Sequence, residues 1–280
     1  NPQAVTLAKL SLWLVTLAKN KPFSFLDHAL RCGDSLVGLD IHQITAFHWD
    51  SGKKGQKLDL IDKEIRDVLT EAVAARERIV ALAKDDSPEA QREKERLLGD
   101  AQDAVARLRL IGDLVLGAFF SSTKDKEREA ERVRRRDLVE AWLGSGRSAS
   151  GELMELAAEL RRRIPAFHWM IEFPEVFWVE RPDPLDAGKR GGNAWLDGLV
   201  GNQPFMDVTF VPEQLGEGYL PWLQSLHPST HGKFDLVAQF FLRCARLIGD
   251  HGTMGLIATN TIAQGDTRTT GLKAIVAAGG

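Results

Sequence analysis

Apolar residues recur at helical spacing from the start of the chain, in PQAVTLAKLSLWLVTLAK, where Pro2 suits a helix's first turn and Asn1 a capping position. The pattern then shortens: residues 23–39, FSFLDHALRCGDSLVGL, read as a brief strand around Ala29 to Cys32 that ends in the turn Gly33-Asp34-Ser35. From about Leu58 to Arg163 the sequence becomes charged, with apolar stripes at helical period. IDKEIRDVLTEAVAARERIVALAK, SPEAQREKERLLGDAQDAVARLRLIGDLVLGAFF, KDKEREAERVRRRDLVEAWL and SGELMELAAELRRR predict four successive helices, punctuated by Ser87-Pro88 and the run GSGRSASG. From Phe167 onward strand and helix signals alternate: LDGLV as a strand, FDLVAQFFLRCARLIG as an amphipathic helix and GTMGLIAT as another strand.

Alternation of this kind predicts an α/β fold with a mostly parallel, doubly wound, Rossmann-like sheet, here partial and interrupted by a long helical insertion. The expected division is a first core part at 1–45, the insertion at 46–164 and a second core part at 165–280. The insertion is expected to pack as a helical arm or bundle outside the sheet, because Leu69, Val73, Ile79, Leu97, Val105 and Leu108 need apolar partners of their own.

Composition narrows the class. With 280 residues and 44% hydrophobic content the chain can bury a sizeable core. Its longest apolar runs fall short of the roughly 20 residues that span a bilayer, so no membrane association is expected. Two distant cysteines, Cys32 and Cys244, support neither a disulfide framework nor a metal knuckle and suit a reducing cytoplasm. A net charge of -3 excludes nucleic-acid binding by bulk charge, although local basic patches remain open. The abrupt start at Asn1 and the stop after GLKAIVAAGG read as cuts within a larger protein.

In doubly wound sheets ligands bind beyond the carboxyl ends of the strands. Two predicted strand ends carry suitable residues: Gly33-Asp34-Ser35, and GNQPF at 201–205. Modifying an adenine amine requires acceptors that draw its nitrogen out of conjugation with the ring. The Asn202 side chain and the backbone carbonyl of Gln203 supply two, Phe205 offers a stacking face and Pro204 stiffens the loop. The same four residues also read as an ordinary turn.

Several segments, taken in order, resemble the gamma-type adenine-specific DNA methyltransferases of the large fused restriction-modification and BREX-like phage-defence class. NPQAVTLAKLSLWL resembles the helix after that family's second motif, LRCGDSLVG its third motif and GNQPF its Asn-Pro-Pro-aromatic fourth motif. FDLVAQFFLRCARL resembles the fifth motif, and HGTMGLIATNTIAQGDTR the sixth together with the family's stretch just after it. The resemblance covers residues 1–40 and 165–280. It implies that Asp34 and Ser35 hold the adenine of S-adenosyl-L-methionine, with Phe241 packing against its edge, and that Asn202, Gln203, Pro204 and Phe205 hold an adenine flipped out of double-stranded DNA. Asp34 and Asn202 would then close one cleft from neighbouring strand ends. A DNA-recognition domain is expected beyond the C-terminus and any fused nuclease upstream.

Two departures accompany the resemblance. Gln203 stands where the first proline of the usual pair would be, which loosens the turn, and the glycine-rich first motif is not found. GKRGGN at 188–193 reads as a loop. Methylation of RNA or of protein glutamine by the same type of loop, and a decayed binding or assembly module, are the alternatives. The remaining features point less sharply. His227 and His231 have metal-like spacing without a third ligand, so no metal is expected. RVRRR reads as a solvated helix face, Asp266 and Arg268 as a cleft-shaping or loop-stabilising pair, and Trp169, Trp178, Trp195 and Trp222 as packing residues.

Overall fold

The periodic stretches fold as helices wherever an apolar stripe finds cover. The computed structural model describes residues 2–15, 29–50, 58–82, 85, 87–146, 151–178, 181–182, 190–191, 196–227 and 234–277. The chain forms two compact units, one of Asn1–Trp49, Lys54–Gly117 and Arg135–Trp178, the other of Asp50–Lys53, Ala118–Arg134 and Val179–Gly280.

The first unit begins with α1 (Pro2–Val15), none of whose residues is buried. Next comes α2 (Ile41–Thr45), closed by a reciprocal capping box in which Asp40 accepts from the Gln43 amide at 2.8 Å and the Gln43 side chain accepts from the Asp40 amide at 2.9 Å. Beyond it lie α3 (Asp59–Ala81), α4 (Pro88–Phe119) as far as Gly117, α5 (Asp125–Gly144) from Arg135 on, and α6 (Gly151–Arg163). Ile61, Ile65, Val68, Leu69 and Ala72 of α3, and Leu97, Ala101, Ala104, Val105, Leu108 and Ile111 of α4, are all buried, and their 3–4 residue spacing is what makes each helix amphipathic. Ser87 caps α4 by accepting from the Ala90 amide at 3.2 Å. Two short helices, α7 (Trp169–Glu172) and α8 (Pro174–Phe177), complete the unit, which contains no strand among the described residues.

The arginines of RVRRR have partners within the chain. Arg132 pairs with Glu129, Arg134 with Glu131 and Arg136 with Asp137, while Arg135 is buried with its guanidinium 3.5 Å from the Leu114 carbonyl oxygen.

The second unit holds the β-structure. Strands β1 (Arg181–Pro182) and β2 (Arg190–Gly191) make a minimal antiparallel ribbon. Arg190 and Gly191 of the GKRGGN segment therefore form strand β2 and not a loop; its remaining residues lie outside the described set. β3 (Leu196–Asn202) is followed by α9 (Val211–Leu215), α10 (Tyr219–Leu226) and α11 (Leu236–Leu247), and the chain returns as β4 (Ile248–Ile257), parallel to β3. The register runs from Gly198 opposite Thr253 to Asn202 opposite Ile257, so both strands finish at the same level. Trp222 of α10 is fully buried against Phe119 and Phe120, with ring centroids 5.2 and 5.9 Å away. The unit ends in α12 (Gly265–Thr270) and α13 (Leu272–Ala277), which places Asp266 and Arg268 on a helix and not in a loop.

The architecture is thus mostly helical α/β with a two-stranded parallel sheet among the described residues. The strand expected at Ala29 to Cys32 is absent. Residues 30–33 take no regular structure, and only Asp34 makes a bridge, a single parallel one to Ala166. A strand needs a ladder, and the turn that starts at Gly33 carries the chain away from Ala166 after one pair. No described helix is long and apolar enough to cross a membrane.

Candidate active site

In the first unit, residues 165–169 hold the turn around Asp34 almost atom by atom. The Asp34 amide donates to the Pro165 carbonyl at 2.6 Å, and the Phe167 amide donates to the Val37 carbonyl at 2.7 Å. The Leu39 amide donates to His168 Nδ1 at 3.1 Å, and Trp169 Nε1–H donates to the Ser35 carbonyl at 3.1 Å. Because the Leu39 amide can only donate, Nδ1 is the acceptor nitrogen, which leaves the ring proton on Nε2 to donate to Asp113 Oδ1 at 3.2 Å. Arg161 Nε donates to the other carboxylate oxygen at 2.5 Å. A chain of polar contacts, buried at His168 and Asp113 and reaching the surface at Arg161, therefore ties α4 and α6 to the segment after Asp34. Gly38 is the tight point, since a methyl there would collide with the Phe167 carbonyl oxygen.

Just before the turn, Glu172 gathers arginines. Arg109 donates from Nε and Nη2 to its two oxygens at 2.5 and 2.9 Å, and Arg31 Nε lies 3.6 Å away. Arg76 donates to the Glu172 carbonyl at 3.0 Å and to Glu175 at 2.5 Å. Burial, and then the charge of Arg76, lower the Arg31 guanidinium from its ordinary value. Such a cluster fixes the approach to Asp34, because each buried charge must keep its partners.

The turn itself presents a donor beside an acceptor. Asp34 is half-buried, and its Oδ1 accepts from the Leu36 amide at 3.0 Å, which orients the carboxylate. No described group accepts from the neighbouring Ser35 amide. An oriented carboxylate next to an uncommitted N–H matches the adjacent amine and ring nitrogen on the edge of an adenine.

In the second unit, Asn202 ends β3, and Gln203, Pro204 and Phe205 continue from it as irregular chain. Asn202, Pro204 and Phe205 are exposed, Phe205 at 45%. Among the described residues, no hydrogen bond engages the Asn202 carboxamide. The Gln203 side chain folds back over Gly201, into space that a Cβ at 201 would contest with its Nε2. The residue in place of the expected proline therefore points back along the strand, and its carbonyl keeps no partner among the described residues.

Phe241 lies half-buried on α11 in this same unit. The predicted residues thus fall into two groups, Asp34 with Ser35 in one unit and Asn202 to Phe205 with Phe241 in the other.

Sequence reasoning missed two residues that shape the second group. Asp235 and Thr267 fasten the downstream end of the loop, and only Asp235 left a signal, a capping residue immediately before the amphipathic run LVAQFFLRCARL. His227 is buried at the end of α10, where burial, with Arg246 and Arg243 adding to it, pushes it down to about 3. His231 lies outside the described residues, and among the described residues no group of three or more His, Cys, Asp or Glu side chains is placed to hold a metal ion.

No curated protein and no solved structure matches the chain. Residues 1–275 match the family described as Eco57I restriction-modification methylase, a span that takes in both the Asp34 turn and the Asn202 loop. The chain therefore belongs to the Eco57I restriction-modification methylase family.

Proposed function

We propose that the chain transfers a methyl group from S-adenosyl-L-methionine to the N6 amine of adenine in DNA, as part of a restriction-modification or phage-defence enzyme acting in the cytoplasm. The observation that carries this reading is the exposed Asn202-Gln203-Pro204-Phe205 loop at the end of a parallel strand in a member of this family. The sheet of the whole enzyme is then doubly wound, with β3 and β4 as two of its strands.

Bound S-adenosyl-L-methionine supplies an electrophilic methyl carbon on a sulfonium sulfur. Asp34 accepts from the cofactor's adenine amine, the Ser35 amide donates to the neighbouring ring nitrogen, and Phe241 packs against the ring edge. Asn202 Oδ1 and the Gln203 carbonyl accept from the two N6 protons of the target. They favour the more tetrahedral nitrogen that attack requires, so their contribution is greatest in the transition state. Phe205 stacks on the extruded base and excludes water from one face.

The substrate is tested by incubating the natural protein with labelled S-adenosyl-L-methionine and, separately, unmethylated DNA, RNA and a glutamine-bearing protein substrate. The expected product is N6-methyladenine in DNA. Label in RNA or glutamine alone would reassign the substrate, and label nowhere would favour a decayed module.

A further inference from the structure

The loop at 202–205 is held from both sides, while no described group bonds the Asn202 carboxamide. Upstream, Asn202 is fixed by its place in the β3–β4 ladder, opposite Ile257. Downstream, the hold passes through Asp235. Asp235 Oδ1 accepts from the Val237 amide at 2.9 Å, an N-cap of α11, and the same oxygen accepts from the Met206 amide at 3.3 Å, the residue next after Phe205. A cap alone needs only the first of these bonds; the second reaches back 29 residues to the loop. The backbone reinforces the join. The Leu236 amide donates to the Met206 carbonyl at 2.7 Å, the Val208 amide to the Phe234 carbonyl at 3.0 Å, and Asp207 bridges Asp235 in antiparallel fashion.

Asp235 is itself held in place. Its amide donates to Thr267 Oγ1 at 3.1 Å, and Thr267 is buried on α12. A second contact brings the α12 end onto α11, because a methyl at Gly271 would touch the Ala238 Cβ at 3.2 Å. The loop's downstream end is thus held by the Asp235 carboxylate together with these backbone bonds, with α12 fastening the Asp235 amide, whereas Gln203 in place of a proline leaves the loop less stiff on its own.

We infer that Asp235 is a positioning residue for methyl transfer, its side chain fixing the Met206 amide and through it the aim of the Gln203 carbonyl and the Phe205 ring. This rests on the proposed role of the 202–205 loop. Small misplacements of acceptors are costly because attack demands near-ideal alignment.

The test uses the natural protein and three substitutions. Asp235→Asn keeps the shared acceptor oxygen. Asp235→Ser keeps a hydroxyl long enough to cap α11 but too short to reach Met206 as well. For Asp235→Ser, kcat should fall at least ~10-fold while KM for DNA changes less than about threefold, and Asp235→Asn should stay within about threefold in both. Hydrogen exchange read by NMR should show the Met206 amide losing protection in the serine variant while α11 stays protected, a result that holds whether or not turnover is measurable. A structural cap and nothing more would leave kcat and Met206 protection unchanged in Asp235→Ser, which would overturn the inference. Asn202→Ala separates the two claims: if it methylates at the natural rate, the loop reading itself fails, and if it is slow while Asp235→Ser is not, only the role of Asp235 fails.

Discussion

The turn at Asp34 and the loop at Asn202 are both irregular segments bearing proposed ligand contacts, yet they are held in opposite ways. Residues 34–39 are clamped along their length by four hydrogen bonds from residues 165–169, with a buried His168–Asp113 contact behind them. Residues 202–205 are fixed only at their ends, and the side chains of Asn202, Pro204 and Phe205 stand exposed. The difference suits the two proposed tasks. A cofactor that is bound again at every turnover gains from a preformed site, whereas a flipped base brings its own bulk and needs open space with acceptors already aimed.

The sharpest way to break this contrast is to make the same change in each segment. Gly38→Ala sets a methyl against the Phe167 carbonyl, part of the main chain that clamps the turn, so the protein should lose roughly 3 kcal/mol in denaturant unfolding. Gly201→Ala clashes with the movable end of the Gln203 side chain and makes an ordinary contact with Leu256, so it should cost less than about 1 kcal/mol. Equal losses at the two sites would mean that the clamp around Asp34 is no tighter than the Asn202 loop.

A smaller effect should appear with pH, and in the unit of the Asn202 loop. His227 is pushed down to about 3 in the fold, while the unfolded chain keeps a value near 6.5. The unfolded state therefore binds the proton first. The stability tied to neutral His227 is complete above about pH 6.5 and is lost progressively as pH falls toward 3. His227→Phe should flatten that acid slope in unfolding midpoints measured between pH 7 and 4; an unchanged slope would show that His227 is not the group responsible.

Much of the fold was legible because long periodic stretches leave little choice. The stripes of α3 and α4, and the succession of LDGLV, an amphipathic helix and GTMGLIAT, each match the element that forms. The short segment at residues 29–32 misled, since four residues carry no period and its fate was decided by one bridge from Asp34 to Ala166, more than 130 residues away. At the candidate site, Asn202, Pro204 and Phe205 were visible as residue types after a strand. Asp235 was visible only as a cap, because its second bond, to Met206, exists once α11 has folded against the loop.

The most direct test of the central claim, that the 202–205 loop grips the target amine, is the single-turnover rate of methyl transfer to DNA by Asn202→Ala alongside its affinity for the same DNA. Loss of an acceptor that matters most as the amine becomes nucleophilic should slow transfer at least ~100-fold. DNA affinity should change less than about threefold, because most of it comes from phosphate contacts. Transfer by Asn202→Ala at the natural rate would contradict the account.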